Sequence, residues 1–278
     1  MDMGNIKKTN FTIFKLIPIL LLFLGCSSPE KTTETTRISD INIYKSGLLF
    51  LENSDYDKAL LEFESLFLNY PFSSLATKAE IMSAYSLYQN NEIDKAINKL
   101  KGFIEINPKG NLSEYAQYLL AMCYYIQISN KGRDSSLNKK ALNYFKILTT
   151  KYPNSKYAKD AKFKIQYIRN TLAVNELVIG KFYLKRKAPA SSIKRFKFIL
   201  KEYQNTSVIP ETLFRLNEAL LMLGLKEEAI KSNAILNYNF PKNEWAMLSK
   251  RLLKNDLETA KQVGLASRIK NYIKTILD

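Results

Sequence analysis

What most constrains this chain is a recurring spacing. The strings "FLNYP", "IEINP", "TTKYP" and "NYNFP" end at Pro71, Pro108, Pro153 and Pro241, and twelve residues before each proline stands an alanine: Ala59, Ala96, Ala141 and Ala229. Four residues after the alanine come Phe63, Leu100 and Phe145, with Asn233 in the last copy. A degenerate copy lies between the third and the last, with Ser192, Phe196 and, in place of proline, Gln204. Repetition at a period of tens of residues marks an array in which no unit buries its apolar face alone. Each copy reads as a helical hairpin. The small residue lets two antiparallel helices approach, the large one fills the space a turn further on, and the proline ends the second helix. Ser54, Asn91 and Gly224, each five residues before its alanine, mark the turn inside the hairpin. No strand period appears, so the fold is expected to be all-α.

These small, large and proline positions resemble the tetratricopeptide repeat, with Gly47 and Ala84 at its small position in the first helix. The resemblance implies a superhelix of about five hairpins with a C-terminal capping helix, the latter from Asn255. The first two prolines lie 37 residues apart, longer than the roughly 34 of the consensus, so the helices are expected to run long. Two further departures stand out. "SNKGRDSSLN" from Ser129 lengthens the third hairpin's turn, and between Pro153 and Pro189 a run of helix-favouring residues is broken only by Gly180.

The N-terminus carries a different signal. "LIPILLLFLGCSSPEKTTETTR" from Leu16 is apolar without interruption only to Leu24, too short for the roughly 20 residues that span a bilayer. Lys7, Lys8 and Lys15, the short apolar core and Gly25 fit a cleaved secretory signal over 1–25. Leu24-Gly25-Cys26 resembles the lipobox of bacterial lipoproteins, although Phe23 stands where leucine is usual. That resemblance implies an acylated Cys26 as the new N-terminus, and Ser27 rather than Asp after it points to the outer membrane. One acyl chain holds a protein weakly and two or more hold it lastingly. Residues 26–39, rich in Ser, Thr, Lys and Glu, read as a flexible tether.

Composition narrows the function classes. The chain has no histidine, which removes His-based triads and the commonest metal ligand. It has no Gly-rich phosphate loop and no Cys/His zinc spacing, so neither catalysis, cofactor nor metal is expected. Of the two cysteines, a lipidated Cys26 leaves Cys123 alone, read as a small buried hydrophobe. The net charge of +16 is mostly lysine and fits a composition bias as well as an acidic partner; no nucleic-acid partner is expected of an exported chain.

Specific strings carry a closer resemblance. "NYPFSS", "FIEINPKG", "GRDSSLNKKALNYFKILTTKYPNSKYAKDA", "NELVIGKFYLKRKA" and "RFKFILKEYQNT" occur in the order and spacing of the BamD lipoprotein family, from about Ile41 to Asp278. The resemblance implies a scaffold and receptor in the outer-membrane β-barrel assembly machinery, held on the inner leaflet of the outer membrane by its lipid. The repeats over 40–155 would receive C-terminal signals of unfolded barrel proteins, and those over 156–278 would hold the POTRA domains of BamA, alongside other subunits of the complex. The repeat register puts Ile41, Tyr44, Leu48 and Leu51, then Lys78, Ile81, Tyr85 and Tyr88, then Tyr115, Tyr118, Met122 and Tyr125 on the concave wall. The tyrosines offer flat contact and hydroxyl donors, and Lys78 offers a charge for a terminal carboxylate; packing between helices is the alternative role. "KFYLKRKAPASSIKRFKFILKEY" from Lys181 concentrates eight Lys and Arg. Within it Arg195 matches an arginine that the family pairs with a POTRA carboxylate, with Lys194 and Tyr183 nearby. The other reading is an adaptor for cell-wall enzymes or proteases.

Overall fold

A computed structural model describes residues 32–110, 112–128, 135–256 and 258. The signal peptide, Cys26, the Arg133-Asp134 insertion and most of the expected capping helix lie outside them. Ten helices follow in order: α1 Thr32–Glu52, α2 Tyr56–Asn69, α3 Ala76–Gln89, α4 Ile93–Ile106, α5 Ser113–Tyr125, α6 Ser136–Lys151, α7 Ala158–Lys185, α8 Pro189–Glu202, α9 Ile209–Met222 and α10 Lys226–Asn239. A further helical segment, α11, covers 244–256. Among the described residues there is no strand, and no helix is long and apolar enough to cross a membrane.

The chain divides into two compact units, Met1–Asn90 and Asn91–Asp278. In the first, α2 packs on both α1 and α3; in the second, each helix from α4 to α9 packs on the next, and α7 also touches α9. The helix α1 begins at Thr32, inside the stretch read as a tether, and α11 begins before Asn255.

The repeat spacing is the spacing of the core. Ala59, Ala96, Ala141, Ser192 and Ala229 are all fully buried, as are Phe63, Leu100, Phe145 and Phe196. The turns expected at Ser54, Asn91 and Gly224 have φ of 59°, 61° and 71°, and a fourth, Lys187, has φ 56° at the same repeat position. A lysine there gives no turn signal in the sequence; the hairpin imposes the left-handed backbone on it. The second helices stop at Tyr70, Asn107, Tyr152 and Phe240, each just before its proline and each out of helical geometry. A proline disfavours the helical region for the residue before it. Helix α8 stops in the same geometry at Tyr203 although Gln204 follows. There the buried Thr206 hydroxyl donates to the Tyr203 carbonyl at 2.7 Å in the turn that follows.

Gly180 does not break α7, which runs 28 residues through it. A Cβ at Gly180 would stand 2.3 Å from Cε1 of Phe196, and one at Gly47 would stand 2.7 Å from Cε1 of Phe63. Both glycines are where the second helix presses its phenylalanine against the first. The fifth copy puts Asn217 at this position and Asn233 opposite in register. Asn217 is fully buried, and its Nδ2 donates to Ser249 Oγ of α11 at 2.6 Å, so here a polar contact fastens the helix that follows.

Candidate functional site

The tyrosines expected on the concave wall fall into two environments. In the first unit, Tyr44 meets Phe63 edge-on at 5.6 Å and, with Leu48 and Leu51, packs on the core of Ala59, Phe63 and Leu66. Burial raises its phenol pKa. Ile81 is buried in the core, whereas Ile41 and Lys78 are exposed. Tyr85 and Tyr88 are half-buried and stack on each other at 6.3 Å, and Gln89 Nε2 donates to the Tyr85 hydroxyl. This pair and Lys78 on the same helix, together with Ile41 of α1, are the open part of the expected wall in this unit.

In the second unit the tyrosines meet the start of α7. Tyr118 stacks on Tyr157 with ring centres 4.9 Å apart, Tyr115 lies 5.4 Å from the same ring, and Tyr125 sits edge-on to both Phe145 and Tyr167. The Tyr118 hydroxyl donates to Asp160 Oδ2 at 2.7 Å, and Lys164 Nζ donates to both oxygens of the same carboxylate. Lys164 also lies over the Tyr125 ring, 5.5 Å from its centre. Burial by itself pushes the Asp160 carboxyl up, but the hydrogen bonds from Lys164 and Tyr118 and the lysine charge outweigh it and hold the group below the usual carboxylate range. The sequence reading did not single out Tyr157, Asp160, Lys164 or Tyr167. The one signal was the acid and base at positions i and i+4 on a helix.

An expected result tests the role of Tyr118. Asp160 has a depressed folded pKa, so its stabilisation is complete above the unfolded carboxylate value near 4 and is lost as pH falls through the folded value. Tyr118→Phe removes one of the bonds that hold it down. The variant should lose about 1 kcal/mol or less at neutral pH, because Asp160 is part-exposed, and the difference from the parent should vanish in strong acid. Denaturant melts at two pH values read this directly.

The basic segment of α7 and α8 surrounds an open cleft. One lobe of 570 Å³ lies among Lys139, Lys194, Arg195, Lys197, Lys201, Glu176 and Phe198. A second lobe of 270 Å³ shares Lys139, Glu176 and Phe198 and is walled by Leu172, Val178 and Ile179. Arg195 Nη1 donates to Glu176 Oε2 at 3.0 Å, and the arginine side chain keeps 40% of its surface exposed. Of its five donors, the one described bond engages a single N–H. Lys194 and Arg195 therefore line the same lobe. Tyr183 lines neither lobe and packs edge-on against Phe182 at 5.7 Å. Glu176, the cleft's one acid, lies 19 residues before Arg195 and was not anticipated.

Cys123 is fully buried, and burial pushes its thiol up to about 12, which keeps it protonated and unreactive. Among the described residues no group of His, Cys, Asp or Glu has the arrangement to hold a metal ion.

Comparison with known proteins adds a further finding. A family model described as outer membrane lipoprotein, YfiO, matches residues 37–235. The outer membrane protein assembly factor BamD of Rickettsia prowazekii (strain Madrid E) is 37% identical over 241 residues, covering 86% of this chain and 95% of that protein. The protein of the same name from Caulobacter vibrioides is 36% identical over 236 residues, covering 84% of this chain and 77% of its own length. Among solved structures, the TPR2AB domain of yeast Sti1 in complex with pHSP90 matches with a TM-score of 0.42 and 13% identity, over 81% of this chain and 86% of that one.

Proposed function

Because this chain belongs to the YfiO family of outer membrane lipoproteins, we propose that it is an outer membrane protein assembly factor that works as a binding scaffold. Cys26 carries the lipid that holds it to the inner leaflet of the outer membrane. The repeats after residue 155 dock the periplasmic POTRA domains of the barrel protein BamA, and those over 40–155 receive the C-terminal signals of unfolded barrel proteins.

The docking half rests on one observation: Arg195 stands in an open cleft with a basic rim and a single acid, Glu176. A rim of that sign favours an acidic partner surface and repels a basic one, and a guanidinium can grip a second carboxylate bidentately. The apolar wall of Val178, Ile179 and Phe198 supplies contact area beside the charge. For the receiving half, Lys78, Tyr85 and Tyr88 are the groups best disposed to meet an aromatic residue and a terminal carboxylate. Tyr115, Tyr118 and Tyr125 are engaged with α7 and serve as the rigid support of their own wall.

A pull-down of the full lipidated chain from mild-detergent membrane extracts, followed by mass spectrometry, tests the reading. It should bring down a barrel protein bearing POTRA domains. Recovery of cell-wall enzymes or proteases in its place would overturn the proposal in favour of the adaptor role.

A further inference from the structure

The loop that follows α2 differs from its four counterparts. The residue after the repeat's closing position is Phe72 in the first copy and Lys109, Asn154, Asn205 and Lys242 in the others. Phe72 is fully exposed, and Leu68, the last residue but one of α2 and four before Phe72, is 71% exposed. From Ser65 to Thr77 the chain has no charged residue, although 24% of all its residues are charged. The other four loops carry Glu105 and Lys109, Lys151 and Lys156, Lys201 and Glu202, and Lys242 and Glu244. Composition bias would act on all five loops alike and does not explain the one exception.

The position of this loop identifies what it faces. Ser73 Oγ donates to Asp40 Oδ2 at 2.5 Å, which ties the loop to the N-terminal half of α1. Asp40 is eight helical residues from Thr32, about 12 Å at 1.5 Å per residue. Six further residues back, at most about 22 Å of extended chain, is Cys26. The uncharged aromatic loop is thus tied to the end of the hairpin that the lipid anchor reaches. We propose that Phe72, with Leu68 behind it, enters the headgroup and acyl boundary of the bilayer as a second membrane contact beside the lipid. Aromatic and apolar side chains suit that zone, and the carboxylate that lies against the loop, Asp40, is buried and accepts from Ser73 Oγ and the Ile41 N–H. The proposal rests on the reading of Cys26 as the lipidated residue.

The test uses the full lipidated chain reconstituted in phosphatidylethanolamine/phosphatidylglycerol vesicles brominated on the acyl chains. The chain's one tryptophan, Trp245, is replaced by phenylalanine, and a single indole is introduced by Phe72→Trp. In a second variant it is introduced by Tyr238→Trp, the exposed residue at the repeat position of Leu68 in the last hairpin. On flotation the vesicles should carry the protein, and the bromines should quench the indole at 72 strongly and that at 238 little. Flotation without quenching at 72 overturns the membrane contact and leaves the anchor standing. Equal quenching at both positions overturns the assignment to this loop. On the vesicles, an indole at 72 that neither the acyl bromines nor iodide in the water quench would show a protein, such as a second copy, covering the patch, and would overturn it too. A lipidated preparation that does not float overturns the anchor and the proposal together.

Discussion

Gly180→Ala should lower the stability of the chain by about 1–3 kcal/mol, the cost of forcing an extra group into a filled core. The sign is informative, because in an exposed helix the same change would stabilise by about 1 kcal/mol. Here the new Cβ would stand 2.3 Å from Cε1 of Phe196, a ring with no exposed surface. The ring cannot swing aside without opening the contact between α7 and α8. For a cooperative unit of this size, each kcal/mol moves the melting temperature by roughly 2–4 °C, well within reach of a thermal melt followed by circular dichroism. The second repeat carries Ala84 and Leu100 at the register positions of Gly180 and Phe196. Phe196→Leu should therefore recover part of the loss when combined with Gly180→Ala. An alanine variant that melts at or above the parent temperature would mean that the helix contact has slack, and that the small position is a habit of the repeat without physical need.

If the cleft docks an acidic POTRA surface as proposed, Arg195→Glu should weaken that binding by about 10- to 100-fold, roughly 1.4–2.7 kcal/mol. It removes a fork of donors and sets a carboxylate beside Glu176 and against the partner's acid. The fold should barely register the change, since part-exposed ion pairs contribute about 0–1 kcal/mol. Lys197→Gln, on the same rim, should stay within a few-fold of the parent. The informative companion is Glu176→Gln. If Arg195 is a docking residue held in reserve by Glu176, neutralising the acid frees the guanidinium, and binding holds or tightens. Equal affinity of the Arg195→Glu variant and the parent in a calorimetric titration would leave Arg195 with its contact to Glu176 and nothing more.

How much of this was legible beforehand differs from residue to residue. The alanine-to-proline spacing located five helical hairpins, their buried small and large residues and three of the four left-handed turns among the described residues. The side-chain determinants of a hairpin recur at fixed offsets, and in a repeat array the contacts run mainly between neighbours along the chain. Lys187 escaped because a lysine carries no local preference for positive φ, and the stop at Tyr203 comes without the proline that marks the others. Gly180 was misjudged as a break because its reason for being glycine is Phe196, on another helix.

The candidate site divides along the same line. The register of the repeat that the sequence resembles assigned Tyr44, Tyr85 and Tyr118, on three first helices, to one wall, and a match to the family drew out Arg195 with Lys194 beside it in the chain. What stands against each face was decided by tertiary structure. The Phe63 core takes Tyr44, and α7 brings Tyr157 and Asp160 to Tyr118. Glu176 reaches Arg195 across the hairpin, while Tyr85 and Tyr88 keep a half-open surface. A helical period fixes the direction in which a side chain leaves its own axis. The neighbouring helix that meets it there, with its own residues and register, decides whether that side chain becomes core or site.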